Sequence, residues 1–275
     1  LRLDSGKKRR LKRIFSDNGK TVIIPFDDGL IDGPFGGLKL IGKKIKQINQ
    51  SDPNGVLGFK GLLGRFSEDI PTNVAMIVNL TASTTLGQHT NKQLVCTVEE
   101  AIALGAEAVA VHVNIGSVYE SRMLKIIGEV SRECTKYGMP LMALMYPRGR
   151  NVTQDNLVRS IRHATRVGAE LGADIVKTFF TGDTESFYEV VSGCPVPVVM
   201  AGGAVTDLNE FLGTVEMAME AGAAGVVCGR NVFNRENSDQ VVKAITARVH
   251  GIKIDYDASD ILHRDMPATI NIRNN

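Results

Sequence analysis

The chain has no tryptophan, and aromatic residues make up only 5% of its 275 positions. That scarcity excludes the aromatic platforms on which lectins stack sugars and RNA-binding modules stack bases. Cysteine is also sparse: Cys96, Cys134, Cys194 and Cys228 lie far apart and form no C-x-x-C pair. A disulfide miniprotein is excluded, and scattered thiols predict a reducing, cytoplasmic compartment. No stretch approaches ~18 uninterrupted apolar residues, so no transmembrane helix and no membrane partner is expected. The N-terminal charges are followed by no apolar segment of the kind a secretory signal carries. An excess of one charge sign is missing too, with 32 Lys and Arg against 30 Asp and Glu. No global field draws the chain to nucleic acid, and the basic run KKRRLKR at 7–13 reads as the solvated face of an N-terminal helix. Metal-ligand spacing is absent as well. His89, His112, His163, His250 and His263 make no H-x-x-x-H or H-x-E pair, so no metal is expected. There is no Walker loop, and Gly33, Gly36 and Gly37 lack the strand and helix context of a dinucleotide site, so no cofactor is expected.

What is present is ordinary globular material, 43% hydrophobic and 23% charged, with 28 glycines. One phrase recurs: a glycine, two or three small or turn residues, then an apolar run. It occurs at 105–113, 138–146, 172–178, 193–201 and 222–229. Glycine suits the left-handed end of a helix, and each run has the length and apolarity of a strand buried on both faces. Helical patterns lie between, at 119–137 and 155–171, with a capping box at Thr97 to Glu100 and related spacing at Asp207 to Glu210. Earlier apolar runs at 21–26, 56–59 and 74–78 complete eight strand-then-helix units. The weakest are the second and third, where 59–66 reads as loop or a single turn. Eight such units in this length predict an α/β fold, a closed (β/α)₈ TIM barrel of eight parallel strands, rather than an open sheet. The expected layout is a basic extension at 1–20, one barrel domain at 21–251 and a polar tail at 252–275.

In such a barrel the chemistry sits at the C-terminal strand ends. The polar residues there are Asp27 and Asp28 after the first run, Lys60 after the second, and His112 and Asn114 in the fourth. Tyr146 ends the fifth and Lys177 the sixth. Lys177 shares the strand face of Ile175. Burial there would lower its pKa and leave an amine able to attack carbonyls. The competing reading is an ion pair with Asp174 or Asp183. Tyr146 beside it could relay a proton, or be a capping aromatic. Asp27 could orient or deprotonate a hydroxyl, or be turn chemistry in Asp27-Asp28-Gly29. Arg148 is a candidate contact for substrate anions, or a solvated loop charge, and His112 reads as a satisfied interior histidine. Gly202, Gly203, Gly229 and Arg230 close the last two strands in the order of a phosphate site, with two plain glycine turns as the alternative.

These residues resemble a known family, the archaeal-type class I aldolases, over roughly residues 11–250. The carriers are Ile24-Pro-Phe-Asp-Asp-Gly29 with Gly33-Pro34, Met145-Tyr-Pro-Arg-Gly149, the run 168–178 ending in Lys177-Thr178, Gly193-Cys-Pro195, Ala201-Gly-Gly203 and Gly229-Arg-Asn-Val-Phe233. The resemblance implies a Schiff-base lysine at Lys177, an acid/base tyrosine at Tyr146, an aspartate at Asp27 and phosphate binding by Gly202, Gly203, Gly229 and Arg230. From their places at the strand ends, Asp28, Lys60 and Arg148 are taken as candidate substrate contacts. The resemblance also implies small-molecule partners, a phosphorylated ketose and an aldehyde, with no cofactor, in a homo-oligomer that can reach a decamer. One branch of the family condenses a ketose phosphate with aspartate semialdehyde, toward aromatic precursors. The other cleaves fructose bisphosphate and carries a Trp two residues before the tyrosine, where this chain has Leu144. The sequence therefore leans to the first branch. A barrel that only binds a sugar phosphate is the alternative from another class. One departure stands out: the family reads Asp-His after the first strand, and Asp28 here puts an anion where an imidazole would stand.

Overall fold

Val, Ile, Ala and Met dominate the short runs between glycines, and residues of this kind form strands only where both faces are covered. The computed structural model, which describes residues 5–252, contains eight such strands. They are β1 (Thr21–Pro25), β2 (Gly55–Gly58), β3 (Ala75–Asn79), β4 (Ala108–Ile115), β5 (Leu141–Pro147), β6 (Ile175–Thr178), β7 (Val198–Ala201) and β8 (Gly225–Val227). All pair in parallel in chain order, and β1 pairs with β8, so the sheet closes into a barrel. Residues 253–275, most of the expected polar tail, lie outside the described residues, as do 1–4 and His263.

Alternation within each strand divides the core in two. Ile23, Leu57, Ile77, Ala110, Met142, Ile175 and Val199 fill the lumen. Their neighbours Val22, Ile24, Val56, Val78, Val111 and Val176 face outward, under the surrounding helices. The capping signals act as their chemistry requires. The Thr97 side chain accepts from Glu100 N–H while the Glu100 carboxylate accepts from Thr97 N–H, opening helix Val98–Ala103. Asp207 accepts from the N–H groups of Asn209 and Glu210 and opens helix Leu208–Glu220. The segment after β2, expected as loop or a single turn, is a six-residue helix, Lys60–Arg65. Between β3 and β4 the chain adds a small antiparallel ribbon, Thr81–Ala82 with Leu94 and Gln93, which no sequence pattern announced.

The basic N-terminal segment departs from the expectation of a solvated face. It forms helix α1 (Ser5–Ile14), which lies across the N-terminal end of the barrel. Ile14 is fully buried in the lumen cluster beside Ile23 and Leu57. Lys7 pairs with Asp174 at 2.8 Å, Arg10 donates to the Gly138 carbonyl, and Arg13 reaches Glu107 and the Thr72 carbonyl. Lys7 and Arg10 thus fasten a plug to the barrel floor, Arg13 does so from an exposed position, and Lys8, Arg9 and Lys12 keep the expected exposed surface. No helix among the described residues is long and apolar enough to cross a membrane.

Candidate active site

At the opposite end of the barrel a cavity of about 270 Å³ opens between the strand ends. Its wall includes Asp27, Asp28, Leu144, Tyr146, Arg148 and Lys177, together with Gly202, Gly203, Gly229 and Arg230. Nine of the ten predicted site residues therefore converge. Lys60 does not. It is ion-paired to Glu100 at 2.5 Å on the surface and borders a separate apolar groove with Leu30 and Phe59. The helix that begins at Lys60 turns the side chain outward, away from the lumen.

Lys177 is placed by alternation on β6: Ile175 points into the lumen, Val176 out, and Lys177 in again. Its side chain is 8% exposed and lines the cavity. The ion-pair reading fails, because Asp174 holds Lys7 at the barrel floor and Asp183 caps helix Thr184–Ser192. The expected fall in its pKa also fails. Desolvation does pull the ammonium down, but Tyr146, Asp27 and Asp28 together outweigh it and hold Lys177 above the usual lysine value. Of these three, Tyr146 contributes most, through its electrostatic influence and a side-chain hydrogen bond. The amine rests protonated among bases able to take its proton.

Those bases have distinct settings. Asp27 is nearly buried and accepts from Asn79 Nδ2 at 3.0 Å, which fixes the carboxylate toward the cavity. Asp28 begins the short helix Asp28–Ile31 and its carboxyl is pushed up to about 6. Burial is the main cause and the adjacent Asp27 charge adds to it, against Arg230 and Lys177. Arg230 Nε stands 3.8 Å from Asp28 Oδ2. Tyr146 is held by rings on two sides, His112 with centroids 4.9 Å apart and Phe179 at 4.4 Å. The Arg148 guanidinium lies 5.2 Å over the Tyr146 ring and 2.9 Å from His89 Nε2, so Arg148 is a cavity residue rather than a solvated loop charge.

The glycine turns build the other side of the cavity. Gly202 donates its N–H to the Val227 carbonyl, so it offers the cavity no donor. Its role is close approach: a Cβ there would sit 2.5 Å from Cys228 Cβ. Gly203 has φ +67°, a left-handed conformation that glycine adopts freely. The N–H groups of Gly203, Gly229 and Arg230 have no protein acceptor among the described residues. Asn231, almost completely buried, ties the two turns together. Its Nδ2 donates to the carbonyls of Gly202 and Ala204 at 2.8 Å each, and its Oδ1 accepts from Thr206 N–H. Backbone donors beside an arginine fork form an anion site suited to phosphate.

Sequence reasoning missed Asn79, His89, Asn231 and Lys92. Lys92 is among the largest fully buried side chains of the described residues. It sits among the charges of Arg148, Asp27, Asp32 and Asp28, and burial with Arg148 brings its ammonium down to about 8. His89 and Lys92 arrive on the segment between the two ribbon strands, and nothing in a polar run such as His89-Thr-Asn-Lys92 marks it as interior. Asn231 carried a signal, its place beside Gly229 and Arg230, without one for its role. Among the described residues no group of three or more His, Cys, Asp or Glu side chains is arranged to hold a metal ion. The four cysteines are unpaired.

With this geometry in hand, comparison with known proteins is informative. The family profile described as DeoC/LacD family aldolase matches residues 21–235. A 2-amino-3,7-dideoxy-D-threo-hept-6-ulosonate synthase from Archaeoglobus fulgidus is 44% identical over 247 residues, covering 90% of this chain and 92% of the relative. A 2-amino-4,5-dihydroxy-6-oxo-7-(phosphonooxy)heptanoate synthase from Streptomyces griseus is 34% identical over 244 residues, covering 88% and 89%. Among solved structures, an archaeal fructose-1,6-bisphosphate aldolase with its catalytic lysine bound to a carbinolamine intermediate superposes with a TM-score of 0.83. It shares 31% identity and covers 89% of this chain and 100% of that one.

Proposed function

This chain belongs to the DeoC/LacD aldolase family, and from that premise we propose that it is a class I aldolase that joins a dihydroxyacetone phosphate-like donor to aspartate semialdehyde or a related aldehyde. The observation that carries the reading is Lys177, a lumen-facing lysine at the end of β6 ringed by Tyr146, Asp27 and Asp28. The names of the synthases it resembles, and Leu144 in place of a bulky aromatic, favour the amino-aldehyde acceptor.

The phosphate would sit on the N–H groups of Gly203, Gly229 and Arg230, with the guanidinium completing its charge. That anchor presents the ketone carbon to Lys177. The ammonium gives its proton to the surrounding bases, and the amine adds to the carbonyl. Tyr146 protonates the carbinolamine hydroxyl, which leaves as water, and an iminium forms. Tyr146, having given up its proton, takes one from the neighbouring carbon as the iminium accepts that C–H electron pair, and the resulting enamine attacks the aldehyde carbon, whose oxygen is then protonated. Asp27, aimed by Asn79, takes or returns a proton at a hydroxyl. Arg148 at the rim would meet an anionic group of the acceptor. Water then releases the product from Lys177.

The test is turnover of dihydroxyacetone phosphate in EDTA against a panel of aldehydes. Carbon–carbon bond formation with aspartate semialdehyde is expected at the highest kcat/KM. Preference for glyceraldehyde 3-phosphate would instead assign fructose-bisphosphate chemistry. Binding with no turnover of any aldehyde would make the barrel a sugar-phosphate binder, and loss of activity in EDTA would defeat the lysine mechanism. The resemblance also favours a homo-oligomer, up to a decamer. Light scattering on the eluting protein would read its mass directly, and a monomeric mass would refute this part of the reading.

A further inference from the structure

We propose that His112 holds the hydroxyl on the bond-forming carbon of the donor ketose, accepting its hydrogen bond at Nδ1, and thereby selects hydroxylated donors over deoxy ones. The inference rests on the reading of Lys177 as the Schiff-base lysine and of the β7 and β8 turns as the phosphate cradle.

Four observations carry it. His112 and Lys177 stand at one level of the barrel. His112 on β4 is in register with Leu144 on β5, which is in register with Lys177 on β6. Alternate strands share a layer of inward side chains, and two strand spacings put the two Cα atoms ~10 Å apart. Both side chains line the cavity, with Leu144 between them. A three-carbon iminium on Lys177 spans such a gap.

The tautomer of His112 is fixed by its neighbours. Asn114 donates its Nδ2 to the Thr90 carbonyl, which turns its Oδ1 to His112 Nε2 at 3.0 Å. Nε2 therefore carries the hydrogen, and Nδ1 is the lone-pair acceptor. No donor among the described residues occupies it.

The ring stays neutral. Burial holds His112 well below the usual histidine value, and Lys92, Arg148 and His89 add to the effect against the Asn114 hydrogen bond. These groups and the Tyr146 ring are what face it. An imidazolium, which would donate rather than accept, is disfavoured.

The direction of the substrate supplies the last part. Lys177 lies on β6 and the phosphate cradle on β7 and β8. With the phosphate arm on that side of the lysine, the hydroxymethyl arm extends to the β5 and β4 side, where Tyr146 and His112 wait. Asp28, at the position where the family carries histidine, follows β1 at the start of helix Asp28–Ile31, and β1 adjoins β8 on the phosphate side of Lys177, away from this arm.

The experiment is exchange of deuterium from solvent into the donor, followed by NMR, which needs no acceptor aldehyde. Dihydroxyacetone phosphate is compared with acetol phosphate, its analogue lacking the hydroxyl. The native enzyme should favour the hydroxylated donor in kcat/KM. His112→Phe should lower that value about 10- to 100-fold for dihydroxyacetone phosphate and change it only a few-fold for acetol phosphate. His112→Gln, which restores an acceptor, should recover part of the loss. Equal effects on both donors, or none on dihydroxyacetone phosphate, overturn the proposal. If His112→Phe proves unstable, the donor ratio in His112→Gln against native decides it, a ratio collapsed to that for two equivalent donors being fatal. Borohydride trapping of each donor on Lys177 is run alongside. An adduct in the variants with no donor discrimination defeats the role of His112 alone, whereas no adduct in the native protein defeats the parent reading.

Discussion

Replacing Asn231 by alanine removes three hydrogen bonds at once, those to the Gly202 and Ala204 carbonyls and from the Thr206 N–H. The alanine methyl replaces none of them. Each such bond is worth about 1 kcal/mol net, so the fold should lose about 3 kcal/mol, the partly exposed carbonyls recovering some of that from water. For a chain of this size that is about 6–12 °C in Tm. The functional effect is separable from the loss of stability. Asn231 touches no substrate in this account, but it holds the turn that aims the Gly203 N–H. KM for dihydroxyacetone phosphate should rise about 10- to 100-fold, the worth of one or two charge-assisted hydrogen bonds. KM for unphosphorylated dihydroxyacetone should change little. Steady-state kinetics with the two donors, at a temperature where both proteins are folded, read the difference. If the two KM values rise in parallel, Asn231 does not serve a phosphate site, and the assignment of Gly203, Gly229 and Arg230 falls with it.

Other outcomes follow from the same geometry. Asp28→Asn should stabilise the protein at pH 8 by about 2–3 kcal/mol and leave it unchanged near pH 3. The reason is that a carboxyl raised to about 6 costs folding energy which grows as pH climbs from its ordinary value and is complete above 6. Denaturant melts at the two pH values check this, and equal stability at pH 8 contradicts it. Tyr146→Phe should slow both borohydride trapping of substrate on Lys177 and turnover, by about 10²- to 10⁴-fold. A Phe variant with native kcat would remove Tyr146 from proton transfer. Ile14→Ala should cost about 2–4 kcal/mol by hollowing the barrel floor, with KM unmoved, because the plug lies at the end opposite the cavity. A native Tm in that variant would show that α1 does not brace the barrel.

The barrel was readable because its signal is repeated. Each glycine-then-apolar phrase is weak, but five in series after three further apolar runs leave few architectures, and alternation from Ile175 to Lys177 was enough to aim the lysine inward. The charge state of that lysine was not readable. Its sign depends on Tyr146 and on Asp27 and Asp28, the aspartates some 150 residues earlier in the chain, and only closure of β1 near β6 through β7 and β8 brings those together. Lys60 failed for a local reason: the strand end was right, but the next residues begin a helix that carries the side chain away. Lys92 and His89 were hidden because the ribbon between β3 and β4 has no periodic pattern, and its burial comes from the barrel mouth it folds over. The basic run at 7–13 was legible as a helix, while its partners Asp174 and Glu107 could be found only from the fold.

The central claim is a covalent bond between Lys177 and the donor ketone. Reduction with borohydride in the presence of dihydroxyacetone phosphate and EDTA, then peptide mass spectrometry, examines it directly. The account predicts one adduct, on Lys177, absent from Lys177→Met. An adduct on Lys92 instead, the buried amine that gives up its proton most readily, or no adduct at all, would contradict it.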